Sequence, residues 1–246
     1  MADATIPVAV RLRHSCTDIG KSVEPVPSYP RDLGMGHPYW PLFDLRVRTP
    51  RLELRLVDDD LAVELAALVG KGIHDPEFMP FTTPWTDLEP PLLQRNALQY
   101  WWHVRSQWKP ENWALSMAVL HEGQAVGIQD VLAERFATLR TVNTGSWLGR
   151  AHQGQGIGKE MRAAVLHLAF EGLGAVMAYS GAYEDNAASR GVSRALGYEE
   201  NGDVIAIRRD KAGRIINLKL PREKWQRRDD ITIEHLEPCL EMFGIG

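Results

Sequence analysis

The stretch "WLGRAHQGQGIGKEM", from Trp147 to Met161, sets Gly154, Gly156 and Gly158 at alternate positions between an apolar, strand-like segment and a helical pattern. A glycine-rich turn running into a helix start gathers unpaired N–H groups and a partial positive charge, which makes it a potential anion site. Spacing limits which anion. A Walker-type phosphate loop needs G-x-x-x-x-G-K followed by Ser or Thr; here Gln153 stands five before Gly158, and Glu160 follows Lys159 where a hydroxyl should bind magnesium. The dinucleotide fingerprint G-x-G-x-x-G belongs after the first strand of a βαβ unit, whereas these glycines give G-x-G-x-G deep in the chain. A tight turn with no ligand is the structural alternative.

The flanking pattern places this turn within a longer order of elements. Residues 1–40 carry Pro7, Pro25, Pro27, Pro30 and Pro38 without a sustained period, and read as a flexible arm. "TPRLELRLVDDD" alternates Leu52, Leu54 and Leu56 with charged residues, as a half-buried strand does. Asp59 or Asp60 is expected to cap the helix "LAVELAALV", which stops at Gly70 and Gly72. A second helix is predicted over Pro91 to Trp108, with Ala97, Trp101, Val104 and Trp108 at helical spacing.

Strands are predicted from Trp113, after Gly123 and from Arg140. The helix after the glycine turn should bury one stripe of Met161, Val165, Leu168 and Ala169. A buried strand "AVMAYSG", a short helix "NAASRGVSRALG" and a hairpin around Gly213 complete the order. Residues 226–246 read as an extension whose "ITIEHL" supplies either a strand or a dimer contact.

Gln153, Gly156 and Gly158 fit the pattern Gln/Arg-x-x-Gly-x-Gly/Ala. With the order of elements, "TPRLELR" and "DNAASRGVSRALGYE", the chain resembles the GNAT (Gcn5-related N-acyltransferase) superfamily, in its RimJ/RimL-like branch. The resemblance covers roughly Leu45 to Pro221. It implies an α/β (α+β) fold, a mixed twisted sheet of about seven strands flanked by four helices, with the domain at 41–225. It also implies that backbone N–H groups of Gln153, Gly154, Gln155, Gly156, Ile157, Gly158 and Lys159 wrap the pyrophosphate of an acyl-coenzyme A. The strand at Trp147 and Leu148 would then pair along the pantetheine arm. Acetyl-CoA is the expected co-substrate, with succinyl-CoA or another acyl-CoA as alternatives and no metal.

Acyl transfer from a thioester to an amine needs a neutral amine, a stabilised leaving thiolate and a donor at the carbonyl oxygen. The resemblance points to Ser189, three residues after Asn186, as the donor to sulfur. Ser193 stands where many relatives carry a tyrosine, and Asn186 is implied to hold a pantetheine amide or a water, with helix capping as the alternative. Where the branch often has a glutamate two residues before the strand glycine, "NTGSWL" has Asn143, which cannot take a proton but can position water. Asp130, Glu184, Asp185, His74 and Asp75 remain as candidate bases. Trp85, Trp101, Trp102 and Trp108 form either an aromatic acceptor wall or part of the core.

Composition narrows the partners. A net charge of −4 argues against nucleic acid and mildly favours a cationic acceptor, a small-molecule or protein amine. The two cysteines fit neither a disulfide framework nor a metal site, and no apolar run reaches a membrane span, so a cytoplasmic protein is expected, with the C-terminal extension leaving a homodimer open. A non-catalytic acyl-CoA sensor and a nucleotide-binding protein are the rival readings.

Overall fold

The computed structural model describes residues 36–246, so most of the expected N-terminal arm lies outside the described residues. Nine strands form one sheet in the order β7-β8-β6-β5-β4-β3-β2-β1-β9. They are β1 (Arg46–Arg48), β2 (Leu52–Leu56), β3 (Asn112–His121), β4 (Gln124–Glu134), β5 (Thr141–Leu148), β6 (Met177–Tyr183), β7 (Glu199–Arg208), β8 (Lys211–Pro221) and β9 (Thr232–Glu234). Every neighbouring pair is antiparallel except β5 with β6. The mixed sheet is therefore as expected, with two short strands more than the sequence suggested. β1 escaped notice because three residues are too few to show a period, and β9 is the "ITIEHL" segment pairing with β1.

Five α-helices lie along the described residues: α1 (Asp59–Gly70), α2 (Leu92–Ser106), the single turn α3 (Phe136–Leu139), α4 (Ile157–His167) and α5 (Ala187–Ala195). Asp58, one residue earlier than expected, caps α1: its side chain accepts from Leu61 N at 2.8 Å, leaving Asp59 and Asp60 in the first turn. Asp59 and Asp60 therefore sit beside the positive end of the helix rather than at its cap. The leucines of β2 face the larger apolar cluster with α4, while α1 and α2 pack Leu61, Leu65, Ala97 and Trp101 against Ala118, Leu120 and Ile128 on the other face of the sheet.

Helix α4 departs from the single stripe predicted for it: residues from Glu160 to His167 are buried all round. The sheet covers one side and α5 another, while the C-terminal segment closes over the π-helical turn Leu168–Gly172 that continues α4. A Cβ on Gly172 would meet Ile233 Cδ1 and Leu236 Cδ2 at 2.9 Å, so glycine there lets residues of the extension dock. Cys239 and Phe243 from the same segment are fully buried in the larger core.

The terminal hairpin turns at Arg209 and Asp210 rather than at Gly213, which pairs with Ala206 inside β8. Gly213 has a packing reason instead: a Cβ there would stand 2.6 Å from the Tyr183 ring.

Candidate active site

The parallel pair is where the sheet opens. β5 bonds to β6 only through Thr141, Val142 and Asn143 against Met177, Ala178 and Tyr179. Beyond that point β5 stays bonded to β4 as far as Leu148, and β6 to β8 as far as Tyr183. Each strand is held on its outer side, so the sheet survives while a cleft opens between two edges that no longer pair with each other, Thr144 O and Tyr179 O being met there by side chains. Such edges suit an extended ligand that can offer amide groups of its own.

Arg162 of α4 reaches into this cleft from one face. It is 3% exposed and donates to Ser146 Oγ on β5 at 3.0 Å, to Ser180 Oγ on β6 at 3.1 Å and to Gln129 Oε1 on β4 at 3.3 Å. All three partners are neutral. The guanidinium thus bridges the two strands just past their last paired residues, a role suited to its fork of donors. Sequence reasoning missed it; the available signal was one arginine inside the apolar run "MRAAVLHLAF".

At the mouth of the cleft stands the glycine turn. Gly154 and Gly156 have φ of +73° and +78°, the left-handed region that glycine adopts without steric cost. Gly156 caps α4 with no side-chain hydrogen bond, and the N–H groups of Gly154 to Gly158 find no acceptor among the described residues. The turn therefore presents free donors at the positive end of an 11-residue helix, the donor set an anionic pyrophosphate requires. Gln153 acts through its side chain, donating to Leu148 O at 2.9 Å and Ile73 O at 2.8 Å, which pins the turn to the end of β5. Gln155 Nε2 donates to Ala151 O, while Lys159 is exposed.

The "TPR" opening of β2 supports the same helix start. Glu160, 7% exposed, accepts from Thr49 Oγ1 at 2.6 Å, Arg51 N at 3.1 Å and Arg51 Nε at 2.7 Å. Burial pushes the Glu160 carboxyl up, but the hydrogen bonds from Thr49 and Arg51 outweigh it and hold the pKa below the ordinary value. The residue that disqualifies a Walker loop is thus a structural anchor.

The remaining predicted residues divide. Asn186 caps α5, its Oδ1 accepting from Ser189 N at 3.1 Å, and Ser189 lies partly buried in the first turn. Ser193 is 1% exposed and its Oγ has no partner. Helix α5 abuts the turn, since Val192 Cγ2 lies 3.6 Å from a Cβ built on Gly158. Leu148 is buried, while the half-buried Trp147 ring lies 6.3 Å from Trp85, which continues to Phe81 at 5.5 Å and His74 at 5.7 Å. Trp85 is the one tryptophan of the proposed wall that reaches this end. Trp101 and Trp108 belong to the core clusters, and Trp102 is exposed, its indole donating to Asp59.

On the α1/α2 face, cross-strand rows order the polar groups. Leu132 pairs with Asn143, and Ser116, Asp130 and Gly145 form the next row. Exposed Asn143 lines a recess of about 250 Å³ with His103, Val104, Gln107 and Ala114. Burial pushes the Asp130 carboxyl up to about 6, with the Ser116 hydroxyl pulling it back. Partial burial and the charge of Asp130 push the Tyr100 phenol up to about 12.

Residues 51–199 match the family described as the acetyltransferase (GNAT) domain. The chain belongs to this family. Its fold is shared with RimL, a ribosomal L7/L12 alpha-N-protein acetyltransferase solved with coenzyme A (18% identity, TM-score 0.60, 70% of this chain and 95% of that one). It is also shared with a GCN5-related N-acetyltransferase from Brucella melitensis (15%, 0.58, 73% and 80%). A spermidine N-acetyltransferase chimera from Vibrio cholerae and hSSAT is similar too (15%, 0.56, 72% and 99%). The GNAT fold and an acyltransferase activity follow from the family match; the identities of these structures carry the fold alone.

Proposed function

We propose that this GNAT enzyme is a RimJ/RimL-like N-acyltransferase that moves the acetyl group of acetyl-CoA directly to a primary amine. The observation that carries the reading is the cleft between β5 and β6, open past three paired residues and closed at its mouth by a turn with free N–H groups. The turn from Gln153 to Lys159 holds the pyrophosphate, and β5 at Trp147 and Leu148, past its last pair with β6, runs along the pantetheine arm. Asn186 and Ser189, at the start of α5, flank the donor, and the Ser189 hydroxyl stabilises the departing sulfur. Asn143 orders water on the acceptor side. A bound acyl-CoA supplies the activated thioester; the chain supplies orientation and proton handling.

Arg162 supports a second donor. A buried guanidinium with only neutral partners suits a carboxylated acyl chain, so succinyl-CoA belongs in the same test. The acceptor panel follows the neighbours: spermidine, and a peptide with a free α-amine. We expect thermal stabilisation by acetyl- or succinyl-CoA and transfer to at least one amine, lost in Ser189→Ala. A folded protein that no coenzyme A ester stabilises contradicts the reading.

A further inference from the structure

An amine that arrives as its ammonium must lose a proton before it can attack, and a base contributes about 10²–10⁴-fold to such a step. The site as described has no assigned base, because Asn143 has none to offer. Four of the five acidic or imidazole candidates raised by the sequence are committed elsewhere. Glu184 pairs with Arg214 and Asp185 with Arg208. Asp75 is exposed and accepts from Glu77 N, while both ring nitrogens of His74 are engaged, by Asp75 O and Thr86 Oγ1 at 2.7 Å each.

Asp130 is different in position and in partners. It lies on β4 directly across from Gly145, the residue of β5 two past its last bond to β6, and its Oδ2 is 4.0 Å from where a Cβ on Gly145 would stand. Glycine at that point leaves the space above β5 empty of side chain, between the carboxylate and the cleft. On the other side in the same row, Ser116 is 3% exposed. Among the described residues neither Ser116 Oγ nor Asp130 Oδ1, both buried, has a hydrogen bond of good geometry, and the nearby Ser116 hydroxyl only partly offsets the burial of the carboxyl. Two such atoms side by side are costly in a folded protein unless a ligand or water completes them.

We infer that Asp130 is the general base, taking the proton of the acceptor ammonium directly or through one water held with Ser116. The assignment rests on the acyltransferase reading above. The Asp130 carboxylate removes one proton from the ammonium and passes it to solvent. The freed nitrogen pair bonds to the thioester carbonyl carbon as the carbon–sulfur bond breaks. The second proton lost by nitrogen goes to the thiolate, leaving an amide and a free thiol. The groups facing Asp130 are Ser116 from β3 and the Tyr100 phenol from α2, with Gly145 offering none; His103 of α2 lines the adjoining recess at Asn143.

The test uses the full chain, acetyl-CoA, spermidine, a free-amine peptide, and hydroxylamine, a nucleophile already neutral at pH 7. Asp130→Asn should bind acetyl-CoA as the parent does. It should lose about 10²-fold or more of kcat with the ammonium acceptors, flatten their pH profile and keep its transfer to hydroxylamine. An Asp130→Asn enzyme with unchanged kcat and profile overturns the assignment, and so does a profile that follows His103→Gln instead. Equal loss with hydroxylamine would make Asp130 structural and also overturns it. A parent protein that binds no acetyl-CoA sinks the acyltransferase reading itself, and is told apart because it fails before any variant is compared.

Discussion

The two sides of the opened sheet are built on different chemistry. On the proposed donor side the groups on offer are backbone: the open edge of β5, the glycine turn and the start of α4, braced by Arg162 and Glu160. On the proposed acceptor side, facing α1 and α2, the groups on offer are single side chains contributed by three strands: Ser116, Asp130 and Asn143. A backbone site tolerates change in most side chains but not in conformation, whereas a side-chain site can be rewritten one residue at a time. The donor side is therefore suited to a constant co-substrate and the acceptor side to a variable one.

The comparison is sharpest where a brace of the donor side is cut. Glu160→Ala removes a buried carboxylate holding Thr49 and Arg51 and should cost about 3 kcal/mol of stability at pH 7, measured by urea unfolding. Because the folded pKa of Glu160 lies below its unfolded value, its contribution is present above the unfolded pKa and lost as pH falls through the folded one. The penalty of Glu160→Gln should thus shrink to nothing in acid below that range.

On the acceptor side the sign reverses. Burial raises the Asp130 pKa to about 6, so its charged form opposes folding, and the opposition sets in as pH rises through that value. Asp130→Asn should raise stability by about 1–3 kcal/mol at pH 8 and change it little at pH 4. A variant that loses activity while gaining stability is the signature of a group kept for chemistry.

Gly156→Ala tests the backbone claim. With φ at +78°, a side chain there costs about 1–2 kcal/mol, so a turn that relaxes out of its binding conformation to escape that cost should lose about 5- to 30-fold in acetyl-CoA affinity. Smallest of all, Arg105→Ala breaks the pair with Asp59 on an exposed helix surface and should cost under about 1 kcal/mol, with acetyl-CoA affinity unchanged.

The same contrast explains what could be read before the structure. A left-handed turn demands glycine, so the sequence must show Gly154 and Gly156 at fixed spacing, and α1, α2 and the longer strands announce themselves by period. The cleft does not: nothing in "TVNTGSWL" says that pairing with β6 stops after Asn143. Nor does spacing tell that Asp130 stands across from Gly145, since strand register is a long-range property. Arg162 was hidden because α4 is enclosed on all sides, and a helix without a solvent face shows no stripe. The turn at Arg209 and Asp210 escaped because Gly213 offered the stronger local signal, although its small size serves Tyr183.

The most direct measurement follows the backbone amides of the full chain by nitrogen-15 NMR during titration with acetyl-CoA. The account predicts saturable shifts that are largest at Gly154 to Gly158 and along Trp147 and Leu148. An acetyl-CoA titration that leaves those amides unmoved would contradict it.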